Sequence, residues 1–399
     1  MALTISSIAK AVKPSSTLAI TAKAKDMKAQ GLDVVAFVAG EPDFDTPKNV
    51  SAVAIDAINT GFTKYTAAAG IVELKEAISQ KFASFNKVAY KPEQIVISNG
   101  GKHSLTNIFR VLINPGDEVI IPAPYWLSYP EMVKIAGGVP VIVYGSKETD
   151  YKVTAAQIKA AVSDKTKALI INTPNNPTGM VYSREELLEI AQVAIEENFY
   201  VVSDEMYENL IYGEIEHVSI ASLSEEIYER TITCSGLSKS YAMTGWRVGY
   251  TGSSLELAKL MASVQSHCTS NVNSIAQKAA VEALSGPQEE IATMKAAFEK
   301  RCDYMSERVS KMPYFSFTKP QGAFYLFVDI EALLGKSYNG EKLINAAQIA
   351  DILIKDYIVA VIPCADFAFP NHIRLSYAID LEQIGKGLDR IEAFLATLK

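Results

Sequence analysis

"SREELLEIAQVAIEENFYVVSDEMY", residues 183–207, contains one full step of an alternating fold. Ser183 followed three places later by Glu186 is a capping box, and apolar residues then recur at helical spacing to about residue 198. "NFYVVSD" (198–204) comes next, a short apolar run ending in an acid, which reads as a strand covered on both faces. Five further runs have the same character: "EQIVIS" (93–98), "DEVIIP" (117–122), "VPVIVY" (139–144), "KALIIN" (167–172) and "RTITCS" (230–235). Helical patterns lie between them, so residues from about 50 to 250 read as α/β with a mainly parallel sheet. A long helical pattern at 287–312 precedes a change to alternating strands, "FYLFVDI" (324–330) and "HIRLSY" (372–377), with helices between. Two bodies are expected, a large one and a smaller α+β one starting near residue 300; by pattern alone the N-terminal fifty residues fit either, and the division expected is 49–300 against 1–48 with 301–399.

Composition narrows the partners. At roughly 150 residues per domain, 399 residues suit two or three domains, and 49% hydrophobic residues supply ample core. The formal charge of −7 and the lack of Lys/Arg-rich runs argue against nucleic acid and anionic membrane, leaving small molecules as the expected partners. Cys234, Cys268, Cys302 and Cys364 are far apart with no C-x-x-C pairing, which fits reduced thiols better than disulfides or a zinc site, and no metal is expected. Residues 1–25 have no acid and superficially resemble a transit segment, yet they lack arginine and contain Pro14. A cytoplasmic protein is expected, with no membrane-spanning segment.

In open α/β sheets ligands collect beyond the carboxyl ends of the strands, so the loops after these runs are where a site belongs. "SNGGKHS" (98–104) opens a helix with two glycines, which suits close backbone approach to a phosphate but equally a plain tight turn. "NTPNNPTG" (172–179) fixes a turn with prolines and a glycine and leaves Asn175 and Asn176 either as donors to a ligand or as Asx-turn partners of their own backbone. Asp204 and Tyr207 follow a buried strand, where a carboxylate wants a cation unless it caps a following helix. Lys239, in "SGLSKSYAMTGWRVGY" (235–250), ends the next strand of the same layer; it is either a surface charge or an amine whose surroundings lower its pKa for carbonyl attack. Arg247 offers a fork for phosphate oxygens or a surface ion pair. A ligand with an aldehyde, a protonatable ring nitrogen and a phosphate accounts for Lys239, Asp204 and the Gly100, Gly101 and Arg247 group together, and pyridoxal 5′-phosphate has all three.

Over essentially its whole length the chain resembles the fold-type I, class I and II pyridoxal-phosphate aminotransferases. The resemblance rests on "GEPDF" (40–44), "KYTAAAG" (64–70), "PYW" (124–126), "NNPTG" (175–179), "SDEMY" (203–207), "SKSYAMTGWRVGY" (238–250), "GAFY" (322–325) and "IRLSYA" (373–378), in order. It implies a large domain with a mainly parallel seven-stranded sheet. It implies Lys239 as the lysine that bonds the cofactor aldehyde and later moves the substrate Cα proton, with Asp204 on the ring nitrogen. Tyr207 and Asn176 would meet the ring oxygen, Trp126 would stack on the ring, and Gly100, Gly101, Lys102, Ser235, Ser238 and Arg247 would surround the phosphate end. Arg374, with the Gly40 N–H, would hold the substrate α-carboxylate. Tyr65 would reach the phosphate of a neighbouring subunit, which implies a homodimer with shared sites.

Two positions depart from the family's pattern. Gly236 stands where a phosphate-binding serine or threonine is usual, so that Ser235 or Ser238 would have to substitute. Cys364 replaces the glycine of a Pro-Gly pair, which matters if that residue needs positive φ.

The resemblance is strongest to bacterial-type aspartate aminotransferases, including aspartate/prephenate ones, and implies Lys102 and Ser15 as the site for a distal carboxylate. L-Aspartate with 2-oxoglutarate is the expected pair. The alternatives are prephenate or broad aromatic and alanine specificity, and a lyase on the same cofactor. A non-catalytic regulator on this fold would carry an added DNA-binding domain, for which the length leaves no room.

Overall fold

The computed structural model describes residues 3–399. Fourteen strands are assigned among them: β1 (Val35–Ala36), β2 (Ile95–Asn99), β3 (Glu118–Ala123), β4 (Val139–Tyr144), β5 (Thr166–Asn172), β6 (Tyr200–Asp204), β7 (Thr231–Gly236), β8 (Val248–Gly252), β9 (Tyr325–Asp329), β10 (Ser337–Tyr338), β11 (Glu341–Lys342), β12 (Val359–Ala360), β13 (Ile362–Pro363) and β14 (His372–Ser376). Seven form one sheet in the order β2-β8-β7-β6-β5-β3-β4. Its pairings are parallel except those of β8, which runs antiparallel to both β2 and β7.

The six expected runs of the large sheet are all strands, and "VPVIVY" coincides with β4 residue for residue. Their continuous apolar character has a direct cause. Side chains alternate across a strand, and here both sides are covered: Ala168 and Ile170 of β5 enter one buried cluster, whereas Leu169 and Ile171 enter another. The helix Arg184–Glu196 buries Leu187, Ile190 and Val193 on the second side, each contributing about 1.5–3 kcal/mol by removal from water. Its start follows the capping box, with Glu186 N–H donating to Ser183 Oγ at 3.2 Å and Ser183 N–H to Glu186 Oε2 at 2.7 Å.

β8 was not among the expected runs. Its sequence, "VGYTG", carries two glycines and little apolar weight, because its backbone is squeezed rather than its side chains. A Cβ on Gly249 would lie 2.3 Å from the Gly101 nitrogen and 2.4 Å from the Gly100 carbonyl carbon. Only glycine lets β8 pass that close to the turn after β2.

The C-terminal part holds an antiparallel sheet of order β13-β14-β9 and the small pair β10-β11. β1 pairs in parallel with β12, Val35 against Val359, which ties the N-terminal segment to this part. The helix Glu289–Ser310 leads into it, burying Phe298, Cys302 and Met305 in the same core as Ile373 and Leu375 of β14. All four cysteines are free. No helix among the described residues is long and apolar enough to cross a membrane.

Candidate active site

β2, β3, β5, β6 and β7 run the same way, so their carboxyl ends open on one side of the sheet. A cavity of about 250 Å³ lies there. Its walls include Gly101 and Lys102 after β2, Trp126 after β3, Asn172 and Asn176 at and after β5, Asp204 and Tyr207 at and after β6, and Ser238 and Lys239 after β7. Arg247, Ser15, Gly40, Tyr325 and Arg374 also line it, the last two from the small sheet.

Lys239 stands on the floor of this cavity, where its amine donates to the Gly40 carbonyl. Burial lowers its pKa to about 8, with the nearby Arg247 and Arg374 adding to the fall and Glu41 and Asp204 opposing it. Gly40 lines the cavity and contributes its carbonyl to this contact. Asp204 is 5% exposed and is pushed up to about 6 by burial, against the hydrogen bonds it accepts from the Tyr129 hydroxyl (2.7 Å) and the Met206 N–H (3.1 Å). No lysine, arginine or histidine forms an ion pair with it among the described residues. No regular helix follows it, so the capping role that the sequence left open is absent.

At the other end, the helix Gly101–Leu112 begins without a side-chain cap. Gly100 precedes it with φ +82°, and a Cβ there would meet Arg247 Nη2 at 2.3 Å. Arg247 itself holds φ +57° and donates to the Thr244 carbonyl at 2.8 Å. It has no carboxylate partner among the described residues, which leaves a guanidinium and free backbone N–H groups facing one concavity. Ser238 lines it, but Ser235 does not: its hydroxyl is fully buried and donates to Glu208 Oε1 at 2.5 Å. Ser235 as a phosphate ligand is therefore corrected. A side chain on Gly236 would sit 2.9 Å from the Val248 carbonyl, so the hydroxyl usual there has no room in this packing.

Arg374 is 3% exposed and lies between two rings, Tyr325 at 4.3 Å and Phe367 at 5.4 Å from its guanidinium carbon. Nη1 donates to Asn176 Oδ1 at 3.0 Å and Nη2 to the Val38 carbonyl at 3.4 Å, while Nε has no partner. A buried arginine that lines a cavity with no carboxylate partner among the described residues suits a carboxylate ligand. The two asparagines of "NTPNNPTG" divide the readings: Asn175 Oδ1 accepts from the N–H and hydroxyl of Thr178, closing the turn, and Asn176 faces the cavity. Cys364 has φ −100° and fits without strain; the left-handed residue is Ala368, at φ +69°.

Lys102 Nζ lies 4.9 Å from the centre of the Trp126 ring, with its pKa lowered by burial and then by Arg247. Ser15 lines the cavity and caps the helix Ser16–Ala29. Tyr65 is 90% exposed and is not part of this chain's cavity. Tyr129 and Tyr325 are wall residues to which the sequence assigned no role, although Tyr325 ends the "GAFY" block and Tyr129 lies three residues beyond Trp126, to whose carbonyl its N–H donates at 3.0 Å. Behind β6, Glu205, Glu208 and His217 cluster within 4.8 Å, but Lys81, Asn86, Ser219 and Ser235 already engage the two carboxylates.

The donor set fits pyridoxal phosphate. A helix start without a side-chain cap beside a guanidinium with no carboxylate partner suits the phosphate, a buried acid without a cation suits a protonated ring nitrogen, and an amine of lowered pKa suits the aldehyde.

Comparison with known proteins agrees. The model of the aminotransferase class I and II family matches residues 33–391. The chain is 49% identical over 386 residues to an aspartate aminotransferase of Bacillus sp. (strain YM-2), covering 97% of each. It is 46% identical to an aspartate/prephenate aminotransferase of Cereibacter sphaeroides, again over 97% of each. Among solved structures, an aspartate aminotransferase from Rhizobium meliloti superposes with a TM-score of 0.96 at 38% identity, covering 100% of both chains.

Proposed function

The chain belongs to the class I and II aminotransferases, and from that premise we propose that it exchanges the amino group of L-aspartate with 2-oxoglutarate, giving oxaloacetate and L-glutamate in two half-reactions on pyridoxal 5′-phosphate. The observation that carries the substrate choice is a pair of cations in one cavity, Arg374 and Lys102, neither with a carboxylate partner among the described residues. Two unanswered cations suit a dicarboxylate.

Bound pyridoxal phosphate supplies an aldehyde and an electron-withdrawing ring, which together make the bonds at an amino acid's Cα labile. The chain's own residues do the rest. Arg374 binds and orients the α-carboxylate, Lys102 with Ser15 takes the distal one, and Asp204 holds a proton at the ring nitrogen. Tyr207 and Asn176 would hydrogen-bond the cofactor's ring oxygen, and Trp126 would pack on its ring. Gly100, Gly101, Ser238 and Arg247 would anchor its phosphate. The Lys239 amine, able to be neutral near physiological pH, would be the group that takes up and gives back the proton at the substrate Cα.

Exchanging Lys102 for alanine tests the substrate assignment. kcat/KM for aspartate should fall about 10²-fold, the usual scale for losing one partner of a charge pair in a cavity, while alanine and phenylalanine change by no more than about three-fold. Equal losses for all three would remove Lys102 from substrate selection. Prephenate is a second acceptor supported by the name of the Cereibacter relative, and as a dicarboxylate it should share the aspartate loss. The same proposal includes a cytoplasmic homodimer, in which the exposed Tyr65 completes the partner's phosphate site, and a small domain of 1–48 with 301–399 set against 49–300.

A further inference from the structure

Tyr325 begins β9, opposite Ser376 on β14, and two of its parts meet two different functional residues. Its hydroxyl is 2.9 Å from that of Tyr207, and its ring lies under the Arg374 guanidinium at 4.3 Å. It is 1% exposed, and Phe324 and Tyr207 pack against it edge-on or tilted, so both contacts are held in place. Tyr207 follows β6 of the large sheet, whereas Tyr325 and Arg374 come from the small one. Tyr207 has no other side-chain hydrogen bond among the described residues.

We propose that Tyr325 is a positioning residue with two separable functions: its hydroxyl orients and polarises the Tyr207 phenol, and its ring sets the plane of Arg374 for the carboxylate. When the Tyr325 hydroxyl donates to Tyr207, the Tyr207 proton is released to point into the cavity, and a phenol that accepts one hydrogen bond donates a stronger one. The ring acts on Arg374 through its face, since a desolvated guanidinium stacked on an aromatic face keeps its orientation with or without the hydroxyl. Tyr325 thus serves proton placement through oxygen and carboxylate binding through carbon.

The inference rests on the function proposed above, and two variants with two readouts separate the failure of one from the failure of the other. Y325F keeps the ring and removes the oxygen. In the loaded enzyme, the pH titration of the cofactor's absorbance should move upward by about half a unit, because a weaker donor from Tyr207 leaves the ring oxygen less stabilised as an anion. kcat should fall about three- to ten-fold, with KM for aspartate and the dissociation constant of succinate within about two-fold of the parent. Y325L removes both parts and should in addition weaken succinate binding about ten-fold. An unmoved absorbance titration in Y325F, or a loss of succinate binding in Y325F as large as in Y325L, would overturn the proposal. A parent enzyme that takes up no chromophore would instead sink the function on which it rests.

Discussion

Lys239→Ala should lower kcat by about 10⁴-fold or more, the upper range for removing a positioned acid–base group, since in the proposed mechanism the same amine would also make the bond to the cofactor. The loss should not be one of cofactor affinity alone, because the phosphate end of the cavity, with Gly100, Gly101 and Arg247, is untouched. The variant should still take up pyridoxal phosphate but yield no borohydride-fixed adduct at position 239. Lys239→Arg should fare no better, since a guanidinium keeps its proton and can be neither nucleophile nor base. The lowered pKa gives a further check. In the cofactor-free protein the amine titrates near 8, so below that value it is mainly the unreactive ammonium. The rate of adduct formation should therefore rise with pH and level off above about 8. Appreciable turnover by the alanine variant, or a fixed adduct mapped to another lysine, would remove Lys239 from its role.

Much of this site was legible because its residues sit at strand ends, and strand ends are visible in a sequence. "FYVVSD" announces where β6 stops, and with it where Asp204 must stand. What the sequence concealed depends on contacts between distant segments. Asn175 and Asn176 look alike in "NNPTG", and only Arg374, reaching across from β14, separates the turn-closing amide from the one that faces the cavity. Ser235 and Ser238 were equal candidates until the buried Glu208 engaged the first. Tyr325 owes its importance to a hydroxyl 118 residues away, a separation no local pattern encodes. β8 was missed for the opposite reason: its glycines answer a steric demand of the neighbouring turn, and such a demand erases the apolar signal by which strands are recognised.

Asp204→Asn should move activity and stability in opposite directions. A carboxylate raised from 3.8 to about 6 binds its proton more tightly in the folded chain than in the unfolded one. Between those values the folded state holds the extra proton, so the cofactor-free protein loses stability as pH rises through that window, by up to about 3 kcal/mol, and the deficit persists at pH 7. Asparagine carries no charge to desolvate and can still accept from the Tyr129 hydroxyl, although its amide meets the Met206 N–H donor less well. The net expected gain for the cofactor-free variant at pH 7 is about 1–2 kcal/mol, a rise in Tm that should vanish below about pH 4, where the parent carboxyl is itself neutral. Catalysis should go the other way: without a negative charge to hold the ring nitrogen's proton, kcat should fall about 10²–10³-fold, the scale on which a lost preorganised electrostatic partner is felt. Added cofactor should then stabilise the parent more than the variant, because only the parent offers a counter-charge to the ring. Thermal denaturation of both proteins, with and without cofactor and at pH 7 and pH 4, beside steady-state kinetics, reads all of these. A variant that loses stability and activity together would mark Asp204 as a structural acid, and one that keeps its activity would place the ring nitrogen's proton in the care of another group.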